Sequence, residues 1–275
     1  GMLVLDGGSN GFTFSKDISF VGYGATPWPS GPALLSIGNN TLSGELLFGA
    51  SQYAATLSVA YGNTTLSGSV TIGLTQPTYL QGNGNVILSG VLSSFEDSTN
   101  RLTRQTANLL PTTLWLQNNA NNFLSSARVS GQGSTLRVSD GGELGKGSWN
   151  VEFNNGTLLE VRADAATASS FASKSLYLNT DGSIFLDRAV GGTGIAQTLT
   201  FGSLLIGMAN RTFSVQGRDG YGLTVGTLGL NLGGAGAGNT TFANNANGWF
   251  TLLGDVPIGD NGNSRSLVFS GAGDT

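Results

Sequence analysis

Gly38-Asn39-Asn40-Thr41-Leu42-Ser43-Gly44-Glu45-Leu46-Leu47-Phe48-Gly49 returns one period later as Gly62-Asn63-Thr64-Thr65-Leu66-Ser67-Gly68-Ser69-Val70-Thr71-Ile72-Gly73. Gly, Leu and Gly recur in place, and the apolar positions follow them. The triplet Leu-Ser-Gly starts at Leu42, Leu66 and Leu88, so its position advances by 24 and then by 22. Farther along, Leu136 and Val138 are matched by Leu159 and Val161, an advance of 23. Within each period the apolar residues alternate, as in Leu176/Leu178, Ile184/Leu186, Phe213/Val215 and Leu228/Leu230/Leu232. That is the strand period of two, and Gly, Asn or Asp punctuates nearly every run. The strands lie too close together for crossover helices. A period in the low twenties fits one coil of a parallel β-solenoid with two or three short strands per coil. In such a coil Leu, Val, Ile and Phe stack inward, Gly and Asn turn the corners where φ is positive, and Asn side chains form ladders between coils.

Composition follows from that geometry. Gly makes up 44 of 275 residues, about 16%, against a usual ~7%, while charged residues are only 10% and hydrophobic ones 39%. The apolar share is ample for a core, so disorder through self-repulsion is excluded. A net charge of −4 supplies no basic field, and nucleic acid and anionic membrane surfaces are poor partners. With no Cys and no His, disulfides, zinc sites, thiol nucleophiles and His-based catalysis are excluded, and no cofactor is expected. No apolar run approaches the ~18 residues of a membrane helix. Division by ~23 residues per coil predicts roughly a dozen coils. We read residues 1–275 as a single β-helix region, with excursions expected at 96–110 and 163–173, the second being the best candidate for a helical turn, though its Ser and Thr content fits an exposed loop equally well. Gly1 before Met2 reads as a residue left by tag removal. The run from Ser266 to Thr275 stops without a closing segment, which predicts a piece of a longer chain.

Leu114-Trp115-Leu116-Gln117-Asn118-Asn119-Ala120-Asn121-Asn122-Phe123, then Ser134-Thr135-Leu136-Arg137-Val138, Gly142-Glu143-Leu144-Gly145 and Asn155-Gly156-Thr157-Leu158-Leu159 carry a family likeness. This order resembles the autotransporter-associated β-strand repeat of secreted bacterial autotransporter passengers, over roughly residues 86–162. Leu124-Ser125-Ser126 replaces the Gly expected after the aromatic, and residues 163–250 are less regular than consecutive repeats. The resemblance implies a right-handed, single-stranded parallel β-helix with coils of about 22–25 residues, exported to the bacterial cell surface through a C-terminal outer-membrane barrel. It implies no catalytic residues. The expected function is that of a non-enzymatic passenger or stalk, an adhesin or surface-presenting segment whose partners are a host or self surface glycan or protein and the translocator barrel of the parent chain.

The main rival is a β-helix polysaccharide lyase or glycosidase. Glycoside cleavage needs two carboxyl groups about 5 to 10 Å apart, which adjacent coils can supply. Asp181 and Asp187 flank Ile184-Phe185-Leu186 beside Arg188, and Asp219 lies in Arg218-Asp219-Gly220-Tyr221. As Asp-Gly dipeptides, 181–182 and 219–220 read first as turns. The 12 Lys and Arg are few and are not expected to cluster. A groove with converging carboxylates and a cation is the observation that separates the two readings. Trp28, Trp115, Trp149 and Trp249 make sugar-stacking platforms if exposed in a row. Trp115 and Trp149 are expected instead in strands covering the core, and Trp28 at the N-terminal end of the solenoid as a cap. Gly259-Asp260-Asn261-Gly262-Asn263-Ser264 reads as a solvent turn rather than a calcium loop, and the glycine run 233–238 as a corner. A second rival, an outer-membrane barrel of alternating strands, is disfavoured by the Gly spacing.

Overall fold

The computed structural model describes residues 2–20, 33–48, 55–73, 78–94, 102–105, 111–124, 127–130, 133–147, 150–230, 238–253 and 265–273. They wind about eight turns of a parallel β-solenoid with almost no helix. The described residues wind fewer turns than the dozen obtained by division, and some coils are longer than the period. Leu3 pairs with Leu34 and Leu176 with Leu204, so these coils advance the chain by 31 and 28 positions. Every strand pair with an assigned register among the described residues is parallel, from Leu3–Phe14 against Leu34–Leu42 onward. A membrane barrel is antiparallel, so that rival is excluded.

The residues group into two compact units, Gly1–Leu136 with Gly142–Ser148, and Arg137–Gly141 with Trp149–Thr275. The first contains β1 (Leu3–Phe14), β2 (Ile18–Phe20), β3 (Leu34–Leu42), β4 (Leu46–Phe48), β5 (Ala55–Val59), β6 (Asn63–Leu66), β7 (Val70–Ile72), β8 (Thr78–Gly82), β9 (Asn85–Leu88), β10 (Leu92–Ser94), β11 (Leu102–Gln105), β12 (Thr112–Leu116) and β13 (Ala127–Ser130). Its coils have three sides. β1, β3, β5, β8, β11 and β13 stack along the first, β1, β3, β6, β9 and β12 along the second, and β2, β4, β7 and β10 form the third. The inward register keeps like on like: Leu42 faces Leu66, Leu66 faces Leu88, and Leu88 faces Leu116, all at most 1% exposed. Phe20 lies 5.1 Å from Phe48 in a stack on the third side.

At the corner before the second side, asparagines form the expected ladder. Asn63 donates from its backbone N–H to Asn39 Oδ1 at 3.0 Å, Asn85 Nδ2 donates to Asn63 Oδ1 at 3.0 Å, and Thr113 N–H donates to Asn85 Oδ1 at 2.9 Å. Gly38 and Gly62, both at φ +78°, precede these asparagines and supply the left-handed backbone the corner requires. The Leu-Ser-Gly glycines are a different case. None has a positive φ; each lies directly on the chain of the preceding coil. A Cβ on Gly68 would stand 2.0 Å from Gly44 O, and one on Gly90 1.8 Å from Gly68 O. Close backbone approach, rather than left-handed φ, keeps these glycines.

Within the stretch 96–110 expected to leave the coil, Leu102–Gln105 is instead β11, paired with β8. Leu102 is buried, and Arg104, which reads as a loop charge, occupies the place of a core leucine opposite Leu80. Residues 95–101 and 106–110 lie outside the described residues.

β14 (Ser134–Val138) is divided between the units after Leu136. The second unit contains β15 (Val151–Asn154), β16 (Thr157–Ala163), β17 (Ser175–Leu178), β18 (Gly182–Arg188), β19 (Thr198–Ile206), β20 (Arg211–Gly217), β21 (Gly222–Leu230), β22 (Gly238–Ala246), β23 (Phe250–Leu252) and β24 (Arg265–Ser270). β15, β17, β19 and β21 stack along one side, β16, β18, β20, β22 and β24 along the next, and the first halves of β19 and β21 pair with β23 along the third. Phe153, Phe213, Phe242 and Phe250 fill the core with centroids 5.7 to 6.1 Å apart. In the second expected excursion, Asp164–Thr167 turns and Ala168–Ser173 forms a short 3-10 helix, with Phe171 buried against Phe201 at 5.2 Å. The apolar Phe171 anchors this helix despite its Ser and Thr neighbours.

Candidate binding groove

The outward side of β16 and β18 carries charge that linear reading separates. Parallel pairing places Arg162 opposite Asp187 and Ala163 opposite Arg188. Side chains that leave consecutive coils at matched positions stand one strand spacing apart, ~4.8 Å, so charges a full coil apart in sequence become neighbours. Arg162 reaches Asp187 Oδ2 at 3.7 Å and, through Nε, Glu160 Oε1 at 2.5 Å. Arg137 Nε donates to the other oxygen of Glu160 at 2.7 Å. Asp187 is 6% exposed, and its Oδ1 accepts the Arg188 backbone N–H at 2.9 Å.

The turn after β20 completes the arrangement. Asp219 and Gly220 have φ +52° and +77°, the left-handed pair that an Asp-Gly turn adopts. This turn holds Asp219 Oδ2 3.4 Å from Arg188 Nε. Arg218 lies over the Phe185 ring, 5.4 Å from its centroid, a cation–π contact that restrains a long side chain. Arg162, Asp187, Arg188, Val190, Arg218 and Asp219 thereby line a solvent-open groove of about 370 Å³. Tyr221 is buried and donates its OH to Ala163 O at 2.9 Å, a carbonyl that also accepts the Ala189 N–H at 3.1 Å.

Of the carboxylates singled out from the sequence, Asp187 and Asp219 converge on this groove and Asp181 does not. Asp181 stands exposed at a coil corner, where its Oδ1 accepts the Thr212 N–H at 2.8 Å. Asp219-Gly220 is both a turn and part of the groove, so the two readings of that dipeptide do not compete. The expectation that basic residues do not cluster is overturned: Arg162, Arg188 and Arg218 line one groove. Each follows the one before by about one coil, and a search for charges at the coil period would have found them. Trp115 lies in β12 as expected, but in the outward column, opposite Ile87 and half-buried. Trp249, just before β23, is 61% exposed. Trp115 belongs to the first unit and Trp249 to the second. Trp28, Trp149, residues 233–237 of the glycine run and the candidate calcium loop at 259–264 lie outside the described residues, while Gly238, the last of that run, opens β22.

Burial raises the Tyr221 pKa above its ordinary 10.0, and the charges of Asp164, Asp187 and Asp219 add to the shift against an opposing effect of Arg188. A raised folded-state value means that stability is intact below pH 10 and is lost as pH climbs through the folded pKa, because the unfolded chain ionises first. Tyr221→Phe removes this alkaline loss. At neutral pH it costs about 1 kcal/mol for one hydrogen bond, since Ala163 O keeps its backbone donor. Urea unfolding of both proteins across pH 7 to 11 checks this; parallel pH profiles would refute it.

The chain matches no protein-family model, no curated protein and no solved structure.

Proposed function

We propose that this β-solenoid is a non-enzymatic passenger or stalk segment of a secreted or surface-displayed bacterial autotransporter-like protein. Its role in this reading is mechanical and interfacial. Ladder hydrogen bonds and stacked core residues make a stiff scaffold, and outward side chains meet the partner. The observation that supports it most is the parallel stacking of the described strands within each unit, with leucine on leucine along the second side of the first. The residues quoted above support the autotransporter likeness. The test is surface labelling of the bacterium that makes the protein, with antibody raised against the 275-residue chain. Intact cells are expected to bind antibody and to lose it after brief protease treatment. Antigen reached only after lysis would sink the reading.

Convergence of Asp187 and Asp219 with arginines favours a second reading, polysaccharide cleavage. Binding fits the geometry better. Each carboxylate already faces an arginine side chain, whereas a general acid in glycoside cleavage is made by an apolar wall. Incubation with acidic and neutral polysaccharides is expected to release no new reducing ends or unsaturated uronates. Release that Asp219→Asn abolishes would establish the enzymatic alternative.

A further inference from the structure

We propose that the groove lined by Arg162, Asp187, Arg188, Arg218 and Asp219 binds an anionic saccharide, a glycan chain carrying carboxylate or sulfate groups between free hydroxyls. This deepens the surface-partner reading above and rests on it for biological context, though not for the binding itself.

Charge comes first. Only 10% of this chain is charged and its net charge is −4, yet three guanidinium groups and two carboxylates share one groove, a local excess of one positive charge. Arg188 and Asp219 keep 49% and 39% of their side chains exposed, so both are open to a ligand. Arg218 is exposed and, among the described residues, has no carboxylate partner; it rests on Phe185. A guanidinium restrained by a ring and unpaired loses little freedom on meeting an anion, and its planar donor fork suits a carboxylate or sulfate.

The two carboxylates then narrow the class. A densely charged polyanion such as nucleic acid meets repulsion from Asp187 and Asp219, and its binding depends on a field of many cations. A saccharide spaces its anions with hydroxyl donors, which carboxylate oxygens accept. Asp219 Oδ1 accepts no hydrogen bond from the described residues, while Oδ2 is held by Arg188. Val190, 78% exposed at the rim, offers an apolar surface to a sugar ring. The groove opens to solvent rather than enclosing a cavity, which suits a chain passing across it more than a small molecule.

The test is calorimetric titration of the full chain with a galacturonate oligomer, the same oligomer fully methyl-esterified, a sulfated chondroitin oligomer and a glutamate peptide of equal charge. The uronate, the sulfated oligomer or both are expected to bind, weakening as salt is added, and the tighter of the two identifies the natural anion. Arg218→Gln and Arg188→Gln are each expected to weaken binding about tenfold, the loss of one charge-assisted contact. Arg211→Gln, which removes a cation of the same unit that does not line the groove, is expected to leave it unchanged. Equal binding of the methyl ester or of the peptide, equal losses in all three variants, or no binding of either anionic oligomer would overturn the proposal. Such a failure leaves surface labelling of the bacterium unaffected, and loss of surface labelling leaves the titration unaffected.

Discussion

Gly90→Ala is expected to be among the most damaging single methyl additions to the described residues, lowering the unfolding free energy of the first unit by at least about 3 kcal/mol. Its Cβ would stand 1.8 Å from Gly68 O and 2.6 Å from Gly68 C, backbone atoms of a coil that is itself stacked on Gly44. No side chain is available to turn aside. Relief requires the 88–91 backbone to move away from the coil below, which breaks the Ser89 and Gly90 N–H bonds to Leu66 O, 3.0 and 3.1 Å. It also unseats Leu88 and Leu92, each at most 1% exposed. Gly156→Ala is the control for conformational freedom: φ is +74° there, but nothing lies within 4 Å of the added carbon. Its cost is about 1 kcal/mol, the left-handed penalty alone. Urea unfolding followed by circular dichroism reads both. If Gly90→Ala is no worse than Gly156→Ala, stacking does not explain the Leu-Ser-Gly glycines.

The second large effect is at Arg104. This residue is fully buried and its guanidinium donates to Leu80 O at 2.8 Å, Gly82 O at 2.8 Å and Gly84 O at 2.6 Å. A single cation thereby closes the β8 corner of the preceding coil, where a leucine at the same position would leave those carbonyls to be satisfied elsewhere. Arg104→Ala opens a cavity and strips the three carbonyls of this donor, with an expected loss of about 3–5 kcal/mol. Arg104→Met refills the volume and is expected to recover the cavity part, about 2 kcal/mol. A loss below about 1 kcal/mol for the alanine variant would show that the guanidinium does not hold the corner. Desolvation lowers the Arg104 pKa from the ordinary guanidinium range to about 10. Because the folded value lies below the unfolded one, the penalty for burying the charge is present at neutral pH and is relieved only as pH rises above about 10. Measurements at pH 7 therefore compare the variants with the charge in place.

Periodicity was legible because every coil repeats the same local problem. Leu42, Leu66 and Leu88 recur because each must cover the one before, and Asn39, Asn63 and Asn85 because each corner passes a hydrogen bond to the next. Arg104 was not legible, since a charge between polar neighbours reads as solvent-facing unless its three carbonyl acceptors are known. The groove was legible in parts. Asp187 and Asp219 drew attention as carboxylates, while Arg162 and Arg218 did not, because a reading that looks along the chain misses charges a coil apart.

Local residue order therefore sufficed for the parallel solenoid, its Leu columns and its Asn corners, since strand alternation and a repeating corner depend on neighbours within one period. Coil length, the glycines kept for close approach, the core place of Arg104 and the meeting of Arg162, Asp187, Arg188 and Asp219 came from stacking. Register between strands depends on how much chain each loop consumes, and the advance per coil runs from 22 between Leu66 and Leu88 to 31 between Leu3 and Leu34. Shifting a coil by one residue turns every side chain to the other face. Which charges meet on the outside follows from that register, and no single period contains it.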